Sequence, residues 1–457
     1  MATRCALVLA CAMALAVAPA LAQTSDFTLP PNSILPNYDR VSIGQREGLE
    51  AGAYVARTND AAASWFNPAG LVQSEKSALA ASANAFELTR LSLEGIGASE
   101  SSTRFSPVGT LVAGVVGAPI VSSRQWRLGF SYARPVSWVP STLTGQIQTD
   151  VGAGREVFGY STGVSFSSSV FGASAGYQAS PRLRLGVGLG YSITDLNQSQ
   201  AVSDRLLNAD SAPTVLRSVA TDGSAHHLLL SGAAQWAVTP SLSVGALIVS
   251  PGLRIGGESS ILFSNVRLSA DGSRDIAFRD EKAKFDYKIP LRATVGAALR
   301  FGAAEVEADL RFHNSESRYD MLSSSEVATV ITTNAAGVPS TSTLAFAPVT
   351  NAARRVYNVG IGGNYVISQT FRVHAGFFTD DSPVDDPTGS IFRSVDLRGA
   401  SAGVSLKFSQ LSGSVGVSSS WGTASERAVG PSLGGIEGIT RVQVRTFNFL
   451  YALSFAF

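Results

Sequence analysis

Cysteine is almost missing from this chain. Its 457 residues include only Cys5 and Cys11. Both fall in an amino-terminal run, residues 1–22, that reads as an export signal. Arg4 is the one charge, Ala, Leu and Val follow, and Ala20-Leu21-Ala22 forms a small-x-small cleavage site before Gln23. A mature protein starting near Gln23 has no thiol, which excludes disulfide scaffolds and thiolate catalysis. Charge is scarce too. Charged residues make up 15%, and removing Arg4 turns 35 basic residues into 34, against 34 acidic ones. No net field therefore draws nucleic acid or anionic lipid. Long apolar runs are the third absence: beyond the signal no stretch of about 18 apolar residues remains, so no transmembrane helix is expected. Mean hydropathy is nevertheless +0.17. The hydrophobicity is dispersed, as it is when lipid-facing residues alternate with small or polar ones.

Catalytic signals are equally thin. The four histidines, His226, His227, His313 and His374, show no HExxH or similar metal spacing. Ser and Asp are too common for their order to define a triad. Gly186-Val187-Gly188-Leu189-Gly190 alternates along a predicted strand and lacks the lysine of a phosphate loop. No enzyme activity, cofactor or metal is expected.

What is present is a period of two. From Phe447 to Phe457 one side of a strand would carry Phe447, Phe449, Tyr451, Leu453, Phe455 and Phe457. The other would carry Asn448, Leu450, Ala452, Ser454 and Ala456. Such a row suits lipid, although the last strand of a soluble sandwich would also bury one apolar face. The same alternation returns at 126–133, 183–191, 242–248 and 371–377. At 304–313 it is sharpest: Val306, Ala308, Leu310 and Phe312 oppose Glu305, Glu307, Asp309, Arg311 and His313. Five ionisable side chains cannot face hydrocarbon without a severe desolvation cost. They fit a wet barrel interior, paired with basic residues of neighbouring strands. Short turns such as Ser180-Pro181 and Thr239-Pro240 fit one end of the barrel. Longer stretches near 90–107, 137–158, 193–223, 252–284, 314–350 and 378–394 read as outer loops, giving fourteen strands. The fold class is thus all-β, a transmembrane antiparallel β-barrel over 75–457.

The region before the barrel is different. Pro30, Pro31 and Pro36 punctuate a leader at 23–43, and 44–74 mixes small, polar and charged residues. Within it, Asp60-Ala61-Ala62-Ala63-Ser64-Trp65-Phe66-Asn67-Pro68-Ala69-Gly70-Leu71 resembles the amino-terminal signature of the FadL/TodX family. These are outer-membrane transporters of long-chain fatty acids and other hydrophobic compounds. The aromatic C-terminal strand, Pro290 before the 291–299 strand and Ser382-Pro383-Val384 after the 371–377 strand agree with it. The resemblance implies a fourteen-stranded barrel in a Gram-negative outer membrane, with a hatch at 44–74 inside its periplasmic end. Asn67, Pro68 and Ala69 would be the hatch turn: Pro68 fixes one dihedral and Asn67 can cap or form an Asx-turn. The leader departs from the family's usual short start. Inside the barrel it would reshape the ligand site; in the periplasm it would be a partner segment or simply disordered.

The implied function is passive uptake of a fatty acid or an aromatic hydrocarbon; the alternative is a nonspecific porin or a structural barrel. Phe86, Leu88, Phe158, Phe263, Phe278 and Phe285 are the apolar candidates for ligand contact. Arg104, Arg155, Arg311 and Arg372 are candidates to neutralise a carboxylate head group. Expected partners are that ligand, outer-membrane lipid and the barrel insertion machinery, which would read the strand ending at Phe457. No nucleic acid is expected, and the barrel is expected as a monomer.

Overall fold

The computed structural model describes residues 34–74, 76–94, 98–104, 108–116, 125–138, 143–151, 154–207, 213–385, 391–427 and 439–457; residues 1–22, read from the sequence as an export signal, lie outside them. One antiparallel sheet forms the wall. Merging segments that continue one hairpin arm, β1 is Ala78–Glu94, β2 is Ala98–Arg104 with Val108–Val116, and β3 is Trp126–Trp138 with Leu143–Val151. Three long strands follow: β4 (Gly154–Gln178), β5 (Leu183–Leu207) and β6 (Thr214–Ala237). Next come β7 (Leu242–Val249 with Leu253–Ser269) and β8 (Gly272–Phe285 with Arg292–Phe301). β9 joins Ala304–His313, Glu316–Ser323 and Val327–Asn334, and β10 joins Pro339–Ala345, Val349–Ala353 and Val356–Val366. β11 (Phe371–Asp380), β12 (Leu397–Phe408), β13 (Leu411–Arg427) and β14 (Ile439–Ala456) complete the wall. β14 returns to β1 in a ladder from Ala78 opposite Ala456 to Glu94 opposite Arg441. Closure leaves no edge strand, which is what lets a sheet sit in lipid.

Side-chain parity separates the two faces. In β14 the row from Phe447 to Phe457 is exposed, while Asn448, Leu450 and Ala452 are buried. In β8 and β9, Val295, Leu299, Val306 and Leu310 point out, and Thr294, Ala298, Glu307 and Asp309 point in. The outer surface is therefore a greasy belt around a mixed interior.

The long stretches read as outer loops are mostly strand. β4 and β5 each run 25 residues and β6 runs 24, well beyond the roughly 9–11 needed to cross hydrocarbon. Beyond the lipid, both faces of these strands meet water or polar neighbours, so the apolar alternation fades. The ladder hydrogen bonds continue regardless.

Among the described residues the wall is interrupted in two places. β7, β8, β9 and β10 break at adjacent levels around Pro251, Pro290, Asn314 and Arg354. Single bonds bridge the gap there, such as Gly252 N–H to the Ile289 carbonyl at 2.9 Å and Asn314 N–H to the Leu291 carbonyl at 2.9 Å. The second interruption is between β2 and β3, whose ladder runs only from Val116 opposite Leu128 to Leu111 opposite Ala133. Pro135, which has no N–H to donate, follows at once, and the β3–β4 register shifts between Ala133 and Val136.

Residues 34–74 lie inside the barrel. Ile34 makes a parallel bridge with Phe392, and Asn37 Nδ2 donates to the Asp380 and Val395 carbonyls at 2.8 and 3.0 Å. The leader's described residues thus occupy the lumen toward the long-strand end. The chain then descends through a 3-10 turn (Gly48–Glu50), a helical turn (Ala63–Phe66) and a second 3-10 segment (Pro68–Gln73) before entering β1. Two apolar clusters fill the interior. One gathers Ile34, Leu35, Trp138, Phe166, Phe285 and Phe392 with their neighbours; the other gathers Ile43, Ala61, Ala63, Leu71 and Leu111.

Candidate functional site

The inner segment is held by the charges of β9. Glu307 accepts from Ala56 N–H at 2.6 Å and from Arg57 Nε at 2.8 Å. Asp309 accepts from Tyr54 N–H at 2.9 Å, and Arg311 Nη2 donates to the Ala51 carbonyl at 2.7 Å. Arg57 also pairs with Glu50, which in turn meets His374 of β11. These side chains are buried, so the ionisable row grips a folded-back backbone instead of lining open water. A second knot lies toward the leader. Asp39 accepts from Asn358 Nδ2 at 2.8 Å, lies 3.3 Å from His313 Nε2 and 3.8 Å from Arg311 Nη1. His313 stacks on Tyr38, with ring centroids 4.4 Å apart.

Asn67 ties the lower end. Its side-chain oxygen accepts from Ala69 N–H at 3.1 Å, capping the Pro68–Gln73 turn. Its amide donates to the Val55 carbonyl at 2.7 Å and to the β6 carbonyl of Ala234 at 3.0 Å. One residue thereby serves a turn, the segment and the wall. Pro68 occupies the first position after the cap, where its missing N–H costs nothing. Ala69 is packed so close to Gly186 of β5 that a Cβ on that glycine would strike its backbone nitrogen.

Burial pushes the Glu50 carboxyl up, but His374 and Arg57 outweigh it and hold it below the usual range. Glu47 behaves oppositely. It is fully buried, and neither carboxyl oxygen has a hydrogen-bond partner among the described residues. Burial, reinforced by Asp60, pushes it up to about 8 from 4.5. A carboxyl whose pKa rises on packing stabilises the packed segment fully below 4.5 and loses that contribution as pH climbs toward 8. Protection factors for amide exchange in 44–58 should therefore fall across this window, by up to about 1.4 kcal/mol per pH unit. Glu47→Gln should flatten the dependence; an equal slope in the variant would assign it to another group.

Cavities of two sizes beside the segment matter here. One of about 80 Å³ lies between Asp39, Ile43, Gly52, Trp65 and Arg311. The other, of about 130 Å³, is bounded by Tyr38, Trp65, Pro135, Val136, Leu229, Tyr287 and Ile289, among others. They share Tyr38, Trp65, Pro135, Leu247 and Arg292. The larger one thus abuts the wall just where the β2–β3 ladder stops. A wider depression of about 890 Å³ lies on the outer face over β6 to β9, where Ala234, Ala246, Ala297 and Ala308 leave the belt shallow. It lies on the outer face, outside the lumen.

The expected ligand contacts divide by parity. Phe263, Phe278 and Phe285 point inward and are buried in the long-strand cluster, with Phe278 stacked on Phe346 at 5.2 Å. Phe158 is half-buried beside Tyr160. Leu88 is exposed on the outer face opposite Phe447, away from the lumen. Phe86 lies in β1, but its side chain and that of Arg104 are outside the described residues. Arg155 is exposed and pairs with Asp150 at 3.0 Å. Arg311 is committed to Ala51 and Asp39. Arg372 is on the His374 face of β11 and is half-buried. None of these borders the 130 Å³ cavity; Arg292 does. Its signal was its parity with Thr294 and Gly296 one turn of the pleat beyond Pro290.

The fold and interior together define a fourteen-stranded transmembrane barrel whose own amino-terminal segment fills its middle. No protein-family model matches the sequence, and no curated protein matches it significantly. Solved structures do. A FadL homologue of Pseudomonas aeruginosa is 14% identical, covering 94% of this chain and 99% of that one, with a TM-score of 0.60. The toluene transporter TodX of Pseudomonas putida is 15% identical over 91% and 99%, with a TM-score of 0.56. The toluene transporter TbuX of Ralstonia pickettii is 15% identical over 92% and 99%, with a TM-score of 0.55. The fold of this chain is that of the FadL and TodX channels.

Proposed function

We propose that this chain is a FadL/TodX-type channel of a Gram-negative outer membrane, exported by its amino-terminal signal and admitting hydrophobic compounds without an energy source. Residues 44–74 are the hatch, and residues 34–43 of the leader continue it up the lumen. The observation that carries this reading is the 130 Å³ cavity, bounded below by the inner segment and at its side by Pro135 and Val136, which lie past the end of the β2–β3 ladder among the described residues. A solute entering from the long-strand end meets the aromatic cluster of Phe263, Phe278 and Phe285, then the cavity, then a place where backbone hydrogen bonds need not be broken to reach lipid. Glu307, Asp309 and Arg311 of β9 bind the hatch backbone and Arg57, and a lumen filled in this way favours a hydrophobic-compound channel over an open porin. Two of the similar structures are described as toluene transporters, which supports a hydrophobic cargo. The barrel acts as a monomer, recognised for insertion through the strand ending at Phe457.

Whole cells and proteoliposomes carrying the protein should be given oleate, toluene and glucose. Faster entry of at least one hydrophobic solute, with glucose entry and ion conductance at background, is expected. Ohmic conductance together with no gain for oleate or toluene would reject the proposal.

A further inference from the structure

Arg292 differs from the other arginines that face the segment. Arg57 is enclosed by Glu50 and Glu307, and Arg311 donates to Ala51 and faces Asp39. Arg292, half-buried at the start of the lower arm of β8, has a side chain with no hydrogen bond and no ion pair among the described residues. Its close partner is the Trp65 ring, whose centroid lies 5.2 Å from Cζ. Asp39, the carboxylate that acts on it from a distance, is already engaged by Asn358, His313 and Arg311. Arg311 adds a second positive charge nearby. A guanidinium stays charged at any relevant pH and presents a planar fork matched to a carboxylate. Over one aromatic face it is only partly compensated. It borders both cavities, so its free valence is directed at the space a solute would enter.

That space is small and ringed by aromatics. At about 130 Å³, with Tyr38, Trp65 and Tyr287 beside Leu229, Val249 and Ile289, it is close to the roughly 150 Å³ of an engineered apolar cavity that takes up benzene. One ring fits; a long acyl chain does not, unless the leader at Tyr38 moves. Resting on the uptake function proposed above, we infer that the cavity binds a benzoate-like aromatic carboxylate, its ring among Tyr38, Trp65 and Tyr287 and its carboxylate on Arg292. The recognised feature is an anion attached to a single ring, which distinguishes this solute from both a neutral hydrocarbon and a long-chain fatty acid.

Benzoate and toluene share the ring and differ only in carboxylate against methyl, so they isolate the contribution of Arg292. Binding to the detergent-purified full-length protein should be titrated with benzoate, toluene and decanoate, followed by tryptophan fluorescence and checked by calorimetry. Wild type is expected to bind benzoate at least tenfold more tightly than toluene. Arg292→Met should lose at least tenfold for benzoate and leave toluene within twofold, and Arg292→Lys should recover part of the loss. Equal affinities in wild type, or benzoate binding unchanged in Arg292→Met, would overturn the inference. So would loss of toluene together with benzoate and no recovery in Arg292→Lys, or a preference for decanoate that excludes benzoate. In those cases oleate or toluene uptake would still stand for the channel itself. Failure of all three ligands to bind, with no uptake of hydrophobic solutes, would remove the channel proposal as well.

Discussion

Arg57→Met is expected to loosen the inner segment by about 3–5 kcal/mol, the usual consequence of removing one partner from a buried ion-paired cluster. The guanidinium contacts Glu50, Glu307 and the Ala53 carbonyl, and its loss leaves two fully buried carboxyl groups without their cation. Each must then take up a proton or draw in water, and either response disrupts the ties to Ala56 and His374. In planar bilayers the variant should show ion conductance well above wild type, and trypsin should cut within 44–74 while the barrel stays folded on a cold gel. Adding Glu50→Gln and Glu307→Gln should restore much of the closure, since neutral amides remove the uncompensated charge while keeping hydrogen-bonding atoms. Wild-type conductance in the single variant would mean that the cluster does not hold the segment.

Gly245→Val should act as strongly by a different route. Gly245 faces inward on β7, and a Cβ there would collide with the Val55 carbonyl and the Ala56 Cα. The obstacle is backbone on both sides, so no side chain can swing away. Overpacking of this kind costs about 1–3 kcal/mol where neighbours can adjust, and here the upper end applies. The expected readout is again raised conductance and proteolysis at 44–74, now without any dependence on charge. Gly302, by contrast, sits in the β8–β9 turn at φ +60 with open space around it. A valine there tests backbone strain alone, and should leave the seating of the segment unchanged.

The wall was legible in the sequence wherever lipid enforces a pattern. The exposed row from Phe447 to Phe457 and the inward row from Glu305 to His313 follow from parity alone, because hydrocarbon tolerates aromatics and rejects carboxylates. The upper halves of β4, β5 and β6 were not legible. Thr194, Asp195, Asn197, Gln198 and Ser199 of β5 are polar on both faces, and their strand is maintained by ladder bonds to β4 and β6. Backbone pairing leaves no trace in residue type. The Asn67-Pro68-Ala69 turn was recognisable as local chemistry, but its tie to Ala234, 167 residues further along the chain, was not. Nor was the seat of Ile34 beside Phe392, which involves no repeat and no periodicity. Arg292 had a local signal in its parity with Thr294, but its place against Trp65 and both cavities depends on the inner segment and was not legible.

One consequence concerns how such a molecule is assembled. The segment 34–74 precedes β1 in the chain, yet it ends up enclosed by a ring whose last seam, β14 against β1, joins the two extremes of the wall. Without that segment the bore would lack Ile34, Leu35, Ile43, Ala61 and Leu71 from its two apolar clusters, so the tail serves as a mandrel on which the inward faces of the wall find their apolar partners.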